Sequence, residues 1–258
     1  GRYHTVALKS DGTVWAWGDN FYGELGDGTK SDRYTPVQVS GLGGVTAIAA
    51  GGLHAVALKS DGTVWAWGYN VWGELGDGTT TGRYTPVQVS GLGGVTAIAA
   101  GYHYTVALKS DGTVWAWGYN DDGQLGDGTT TGRYTPVQVY GLSGVTAIAA
   151  GDSHTVALKS DGTVLAWGHN NYGELGDGTT TNRTTPVQVS GLSGATAIAV
   201  GYRHTVALKS DGTVWAWGYN DDGELGDGTT TDRNTPVQVS NINLGVTGTT
   251  PTPTPSPT

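Results

Sequence analysis

Several residue sets in this chain have the types that metal binding or acid–base chemistry needs. Asp121, Asp122 and Asp127 offer hard oxygen ligands of the kind calcium takes, and Asp221 with Asp222 is a carboxylate pair of the kind general acid–base catalysis uses. The acidic run lacks the D-x-D-x-D-G order of a calcium loop, and the pair has no nucleophile beside it. His4, His54, His154 and His204 recur at fifty-residue multiples, with Tyr104 in the remaining place, but no second ligand type recurs with them at metal spacing. They read as buried histidines that satisfy backbone groups. Asp27-Gly28 and its copies suggest a phosphate loop, yet no Lys follows and no helix begins there, so a turn is expected. The expectation is a chain with no metal, no cofactor and no enzymatic activity.

What positions these residues is a repeat. The stretch His204 to Gly218, HTVALKSDGTVWAWG, returns four more times at intervals of fifty residues, each time followed by an N-x-x-G-[EQ]-L-G-D-G-T loop and a TPVQV segment. A unit of this length cannot bury its apolar faces alone and must stack on its neighbours. Copies at 1–50, 51–100, 101–150, 151–200 and 201–250 therefore form one array, with 251–258 as a Pro/Thr-rich tail. Within a copy, Thr5 to Lys9 and Thr13 to Trp17 are β-branched and aromatic runs split by Ser10-Asp11-Gly12, a hairpin signal. Thr35 to Val39, with Pro36, reads as an edge strand, and Val45 to Ala50 as a fourth, apolar strand. Four short strands per copy, apolar at nearly every position, predict an all-β propeller of five blades whose faces cover one another.

Strand polarity then separates two rims. With antiparallel neighbours, the S-D-G turns lie on one rim, and the segment before each His together with the long loop after each W-G lies on the other. Variation between copies concentrates on that second rim. The candidate binding residues are Tyr3, Leu53, Tyr102 and Tyr202 in the short segments. In the long loops they are Phe21, Tyr22, Tyr69, Trp72, Tyr119, Asp122, His169, Tyr172, Tyr219 and Asp222. Aromatic anchors among short polar residues are what recognition loops use. A third variable group follows at Asp32, Tyr34, Gly82, Asn182, Thr184 and Asn234, and the repeated Arg33, Arg83, Arg133, Arg183 and Arg233 are expected to tie each long loop to a neighbour. Asn182-Arg183-Thr184 is a lone glycosylation sequon, which hints at surface exposure.

Bulk properties narrow the function classes. A net charge of −9, with acidic residues in every copy, leaves no basic stripe for phosphates, so nucleic acid is excluded as a partner. Cys is absent, which removes disulfides and thiolate sites, and no apolar run is long enough for a membrane span. The chain has no Met, so it is expected to be a processed product or an excerpt.

The run Ile48 to Leu58, IAAGGLHAVAL, with W-G-x-N-x-x-G-x-L-G-x-G, resembles the repeat of the regulator of chromosome condensation family. The resemblance implies a propeller of four-stranded blades, usually seven. The family's eukaryotic founder exchanges nucleotide on the small GTPase Ran, and nothing in this chain matches its exchange wedge. Secreted bacterial members include a β-lactamase inhibitor that binds through aromatic loops on one face, and Tyr22, Trp72 and Tyr172 look like such positions. Only four intact VTAIAA-type strands are present, at Val45, Val95, Val145 and Ala195, with Gly245 to Thr250 as a candidate replacement. The ring is thus either closed or an open arc, and an open arc exposes strand edges that associate into rings or filaments. The alternation of Pro with Thr or Ser marks Thr249, Thr250, Thr252, Thr254, Ser256 and Thr258 as candidate O-glycosylation sites. The expected function is an extracellular or cell-surface interaction propeller that contacts protein or glycan. The alternative is a structural subunit of an extracellular filament or surface layer.

Overall fold

The computed structural model describes residues 1–244, and these are all strand, turn and loop. The first sheet contains β1 (His4–Leu8), β2 (Val14–Gly18) and β3 (Arg33–Gln38). The second runs β4 (Val45–Ala50), β5 (His54–Lys59), β6 (Val64–Gly68), β7 (Arg83–Gln88), in that order across the sheet. The third repeats it with β8 (Val95–Ala100), β9 (Tyr104–Lys109), β10 (Val114–Gly118) and β11 (Arg133–Gln138). The fourth uses β12 (Val145–Ala150), β13 (His154–Lys159), β14 (Val164–Gly168) and β15 (Arg183–Gln188). The fifth uses β16 (Ala195–Val200), β17 (His204–Lys209), β18 (Thr213–Gly218) and β19 (Arg233–Asn243). Five antiparallel blades follow, as the repeat predicts, with three strands in the first and four in the others. Gly245 to Thr250, the proposed replacement strand, and the tail lie outside the described residues. No described helix is long and apolar enough to cross a membrane.

Local chemistry explains the elements. At each hairpin the Asp carboxylate accepts the backbone N–H and the hydroxyl of the Thr two residues on, as Asp61 does from Thr63 at 3.0 and 2.6 Å. Gly62 takes φ +77°, which a side chain would strain. The strand carrying Pro86 pairs only through its inner neighbour, so the missing N–H costs no ladder bond. In the middle blades the second strand is buried from end to end, His54 through Leu58 being an example, because a blade lies on each side.

Blades meet through one repeated joint. The indole N–H of Trp67, Trp117, Trp167 and Trp217, each fully buried, donates to the backbone carbonyl of Glu24, Glu74, Gln124 and Glu174 of the preceding blade at 2.8–3.0 Å. The hydroxyls of Thr105, Thr155 and Thr205 donate to the last three of those carbonyls, each at 2.9 Å. His54 and His154 then meet Thr105 and Thr205 through Nε2 at 3.0 Å. His4, His54 and His154 are buried as expected while His204 is half-buried, and for His54 and His154 the partner is a hydroxyl of the next blade, not the backbone. Tyr104 substitutes by sending its own hydroxyl to the His154 carbonyl at 2.5 Å.

The first joint keeps the Trp67 bond but lacks the hydroxyl bonds, because Ala55 stands where the others have Thr. Both ring nitrogens of His4 are buried without a partner, and burial holds its pKa down at about 4. Ala55→Thr is expected to restore the missing bonds and raise unfolding free energy by about 1 kcal/mol. Thr105→Ala, which orphans His54, is expected to cost about 1–3 kcal/mol. Urea denaturation of both variants checks the pair.

Candidate binding face

Register places the variable segments together. Ala50 pairs with Ala55, His54 with Gly68 and Gly68 with Arg83, so residues 51–53 and 69–82 leave the sheet at the same end. Val45 pairs with Lys59 and Leu58 with Val64, which sends the Asp61-Gly62 turn to the opposite end. One variable residue, Tyr140, lies on that opposite rim beyond the end of β11, 70% exposed.

Besides its arginine, the long loop is held at three polar positions, two of them the same residue in all copies. Asn70, buried, donates through Nδ2 to the Thr79 and Thr81 carbonyls at 3.1 Å and accepts Leu75 N–H at 2.9 Å. Asp77 accepts Thr79 N–H and hydroxyl at 2.9 and 2.6 Å, and its other oxygen takes Arg83 at 2.6 Å. The arginines therefore brace their own loop rather than reach a neighbour, because a carboxylate six residues earlier sits within the same turn. Asp127 is engaged by Arg133 in the same way, so it does not join Asp121 and Asp122. Gly73, at φ +86°, lets the loop lie on the next blade: an added Cβ would fall 2.7 Å from Tyr134 Cα.

The third residue, at positions 24, 74, 124, 174 and 224, escaped the sequence reading. Its side chain accepts the backbone N–H of the display residue two places earlier: Tyr22 to Glu24 at 2.8 Å, Trp72 to Glu74 at 2.9 Å, Asp122 to Gln124 at 3.0 Å and Tyr172 to Glu174 at 2.9 Å. The only signal was its restriction to Glu or Gln in the G-[EQ]-L run. The copies partner this buried group differently. Glu74 meets His103 Nδ1 of the next blade at 3.1 Å, and Glu174 meets His169 of its own loop at 2.7 Å. That bond raises the His169 pKa. Burial opposes ionisation of Glu174, yet His169 and backbone N–H groups hold its pKa below the usual value. His169 was expected as a contact residue, and its ring is thus committed on one side to Glu174.

The candidate residues form two aromatic strips. Phe21, 65% exposed, meets Tyr22 at 4.9 Å between centroids, Tyr22 meets Tyr69 at 4.8 Å, and Tyr69 meets His103 at 5.5 Å. His103 touches Tyr102 and Tyr119, and Trp72 packs edgewise on Tyr119 at 5.1 Å. This strip crosses three blades. The second joins His169, Tyr172 and Tyr219 over the last two. Tyr3 stands under Arg2, whose guanidinium also lies over Tyr102, and Tyr202 stands under Arg203. Leu53 is half-buried outside both strips, and Asp222 is exposed at the far end of the arc. From the third variable group, Asp32 and Asn182 turn inward to accept the N–H of Asn20 and Asn170 at 3.0 and 2.9 Å. Asn182 also donates to Asp122, so the sequon asparagine is half-buried and bonded at both ends.

Electrostatically the rim is acidic. Its variable positions carry Asp19, Asp32, Asp121, Asp122, Asp152, Asp221, Asp222 and Asp232 against Arg2, Lys30 and Arg203. Asp152 is half-buried at the axial end, where burial raises its pKa although Arg203, His169, His103 and Arg2 pull the other way.

Five antiparallel blades with loops gathered on one rim define a β-propeller. The model of the RCC1-like domain matches residues 1–250, and the chain belongs to that family. Human WBSCR16 superposes with a TM-score of 0.84 at 26% identity, over 93% of this chain and 65% of that one. Prp20p of Saccharomyces cerevisiae, in a structure described with its binding properties to Gsp1p and histones, superposes with a TM-score of 0.79 at 25% identity, over 93% and 62%. Among curated proteins, the human E3 ubiquitin-protein ligase HERC2 is 42% identical over 53 residues, 20% of this chain and 1% of that protein. The chain thus spans less than two thirds of each of these relatives.

Glu24 generates a pH prediction. It is fully buried, its Oε1 has no partner, and burial, with Asp19 and Asp32 adding, pushes its pKa up to about 7. A carboxyl raised in the folded state favours folding below its unfolded pKa and withdraws that support as pH rises through the folded value. Glu24→Gln, the residue already present as Gln124, is expected to leave stability unchanged near pH 4 and to add about 1–3 kcal/mol at pH 8. Thermal denaturation across pH 4–8 checks it.

Proposed function

We propose that this chain is a non-enzymatic interaction propeller, working outside the cell or at its surface, whose variable rim recognises a protein or glycan partner. The observation that supports it most is the division of labour within the long loop. Asn, Asp, Arg and Glu or Gln, common to the copies, hold the backbone, while the display positions between them differ and, in the first two loops, include the exposed rings of Phe21, Tyr22 and Trp72. Rigid backbone with large, low-entropy side chains is what a recognition surface needs. Prp20p, with its Gsp1p and histone binding, supports the coarser reading of a protein-binding propeller. The extracellular assignment rests on composition, and the glycosylation candidates Thr249 through Thr258 lie outside the described residues.

The test is a double substitution, Tyr22→Ala with Trp72→Ala, which removes anchors from two loops. Captured partners on a protein and glycan array are expected to fall at least tenfold, with Tyr140→Ala on the other rim as an unaffected control. Equal capture by both variants would end this reading.

A second reading, a subunit that polymerises through its end blades, is favoured by one specific observation. The Trp17 indole and Thr5 hydroxyl of the first blade have no hydrogen-bond partner among the described residues, and the Glu224 carbonyl that such groups meet at internal joints lies in the fifth. Tyr34 of the first blade, 93% exposed, is likewise bare where Tyr84 and Tyr134 pack on a preceding loop. With the family's usual seven blades, a second copy of five overfills the remaining arc, so such a polymer must climb out of plane as a helix. Sedimentation velocity checks it: Trp17→Ala should dissolve any concentration-dependent assembly, and a single species at all concentrations would refute it.

A further inference from the structure

The axial end of the rim is a row of variable residues joined by backbone bonds. Gly52 N–H donates to the Tyr102 carbonyl, Tyr102 to Asp152 and Asp152 to Tyr202, each at 3.1 Å, which fixes where these side chains start. The long loops of the second and third blades bring Trp72, Tyr119 and Asp122 beside them. Together with Arg2 and His103 they wall a cup of about 400 Å³.

Two features of this cup point to the charge of its occupant. The Asp152 carboxylate has no hydrogen bond or ion pair among the described residues, and Asp122 has only the amide of Asn182 on its side-chain oxygens, at 2.9 Å. The walls beside these carboxylates are aromatic. Two of the cup's own rings show how such walls are used: Arg203 places its guanidinium 5.0 Å from the ring centroids of Tyr202 and, outside the cup, Tyr172, and Arg2, itself at the cup wall, lies 5.3 Å from that of Tyr102 and 5.2 Å from that of Tyr3. Arg2 also donates to the Tyr102 hydroxyl and Arg203 to that of Tyr172, so both cations are held at their own tyrosines. Among the described residues no cation of the chain covers Trp72 or Tyr119. The best cation-binding ring type in the cup is therefore open, next to two carboxylates that make no direct ion pair among the described residues, although Arg203, His169, His103 and Arg2 act on Asp152 from a distance.

We infer that the cup receives an arginine or lysine side chain of a protein partner, held against Trp72 and Tyr119 and charge-paired to Asp122 and Asp152. This rests on the reading of the rim as a recognition surface and names the partner's anchor. An acidic, aromatic cup strengthens such a contact because both terms act on the same desolvated cation. A neutral sugar would gain the stacking but leave Asp152 unpaired, and an anionic partner would be repelled by it.

The experiment is calorimetric titration of the 258-residue chain with tetra-arginine, tetra-citrulline and tetra-glutamate peptides. Tetra-arginine is expected to bind, and the other two are not. Asp122→Asn with Asp152→Asn is expected to weaken tetra-arginine at least tenfold. The charge-matched double Asp61→Asn with Asp111→Asn, on the opposite rim, should change it less than twofold. Trp72→Ala should also weaken it at least tenfold and Trp72→Tyr, which keeps a ring, less than threefold, so a folding defect in the former does not decide the matter. Silence towards tetra-arginine, equal binding of tetra-citrulline, or equal losses in the two charge-matched doubles would overturn the inference. If tetra-arginine is silent while the Tyr22 and Trp72 double variant still loses array partners, only the basic anchor falls and the recognition surface stands.

Discussion

The structure depends on one hydrogen bond made four times, from a buried tryptophan N–H to a carbonyl in the preceding blade's long loop. Burying an indole contributes a large hydrophobic gain only if its single polar atom finds a partner. Here the acceptor belongs to the residue whose side chain, in the same turn, pins the display residue. Packing of the fold and presentation of the rim are thereby the same event. A loop cannot relax without loosening the joint, and a joint cannot loosen without moving a display residue.

That economy carries a cost in buried charge. An acid pinned beneath the rim sits in a place where ionisation is disfavoured unless a counter-charge reaches it. Two copies set a histidine against the acid, and those histidines come from different positions: His103 from the next blade's short segment and His169 from the same loop. A third copy uses Gln124, and the first leaves Glu24 exposed to the full penalty. Repeats nearly identical in sequence thus differ most, energetically, at a position that hardly varies.

The sequence was informative where copies could be compared and silent where they agreed. Strand positions, the hairpin, the covered faces and the variable rim all followed from hydrophobic pattern and period, because the pattern of burial is what the repeat encodes. The Arg33 to Asp27 brace was misassigned to a neighbouring blade, since a six-residue separation across an irregular loop has no periodic signature. The partner of His54 and of His154 was missed for a related reason: it lies fifty-one residues away, in a position occupied by Thr in most copies but Ala55 in one. The acid beneath the rim was invisible because an almost constant Glu looks like a solvated loop residue until the next blade covers it.

These interactions also sort the variable positions by how free they are. Asp32, Asn182 and Asp232 carry a backbone bond each, so their exchange is restrained by the loop. His103 and His169 answer a buried acid, so their exchange is restrained by the joint. Phe21, Trp72, Tyr202 and Asp152 have no such duty: their side chains make no hydrogen bond that the fold uses, and their backbones are held by others. Surface positions of that kind tolerate substitution within a few tenths of a kcal/mol, roughly ±0.5. Selection can therefore act on them for binding alone, and it is at these residues that an unpaired carboxylate and an uncovered indole come to share one cup.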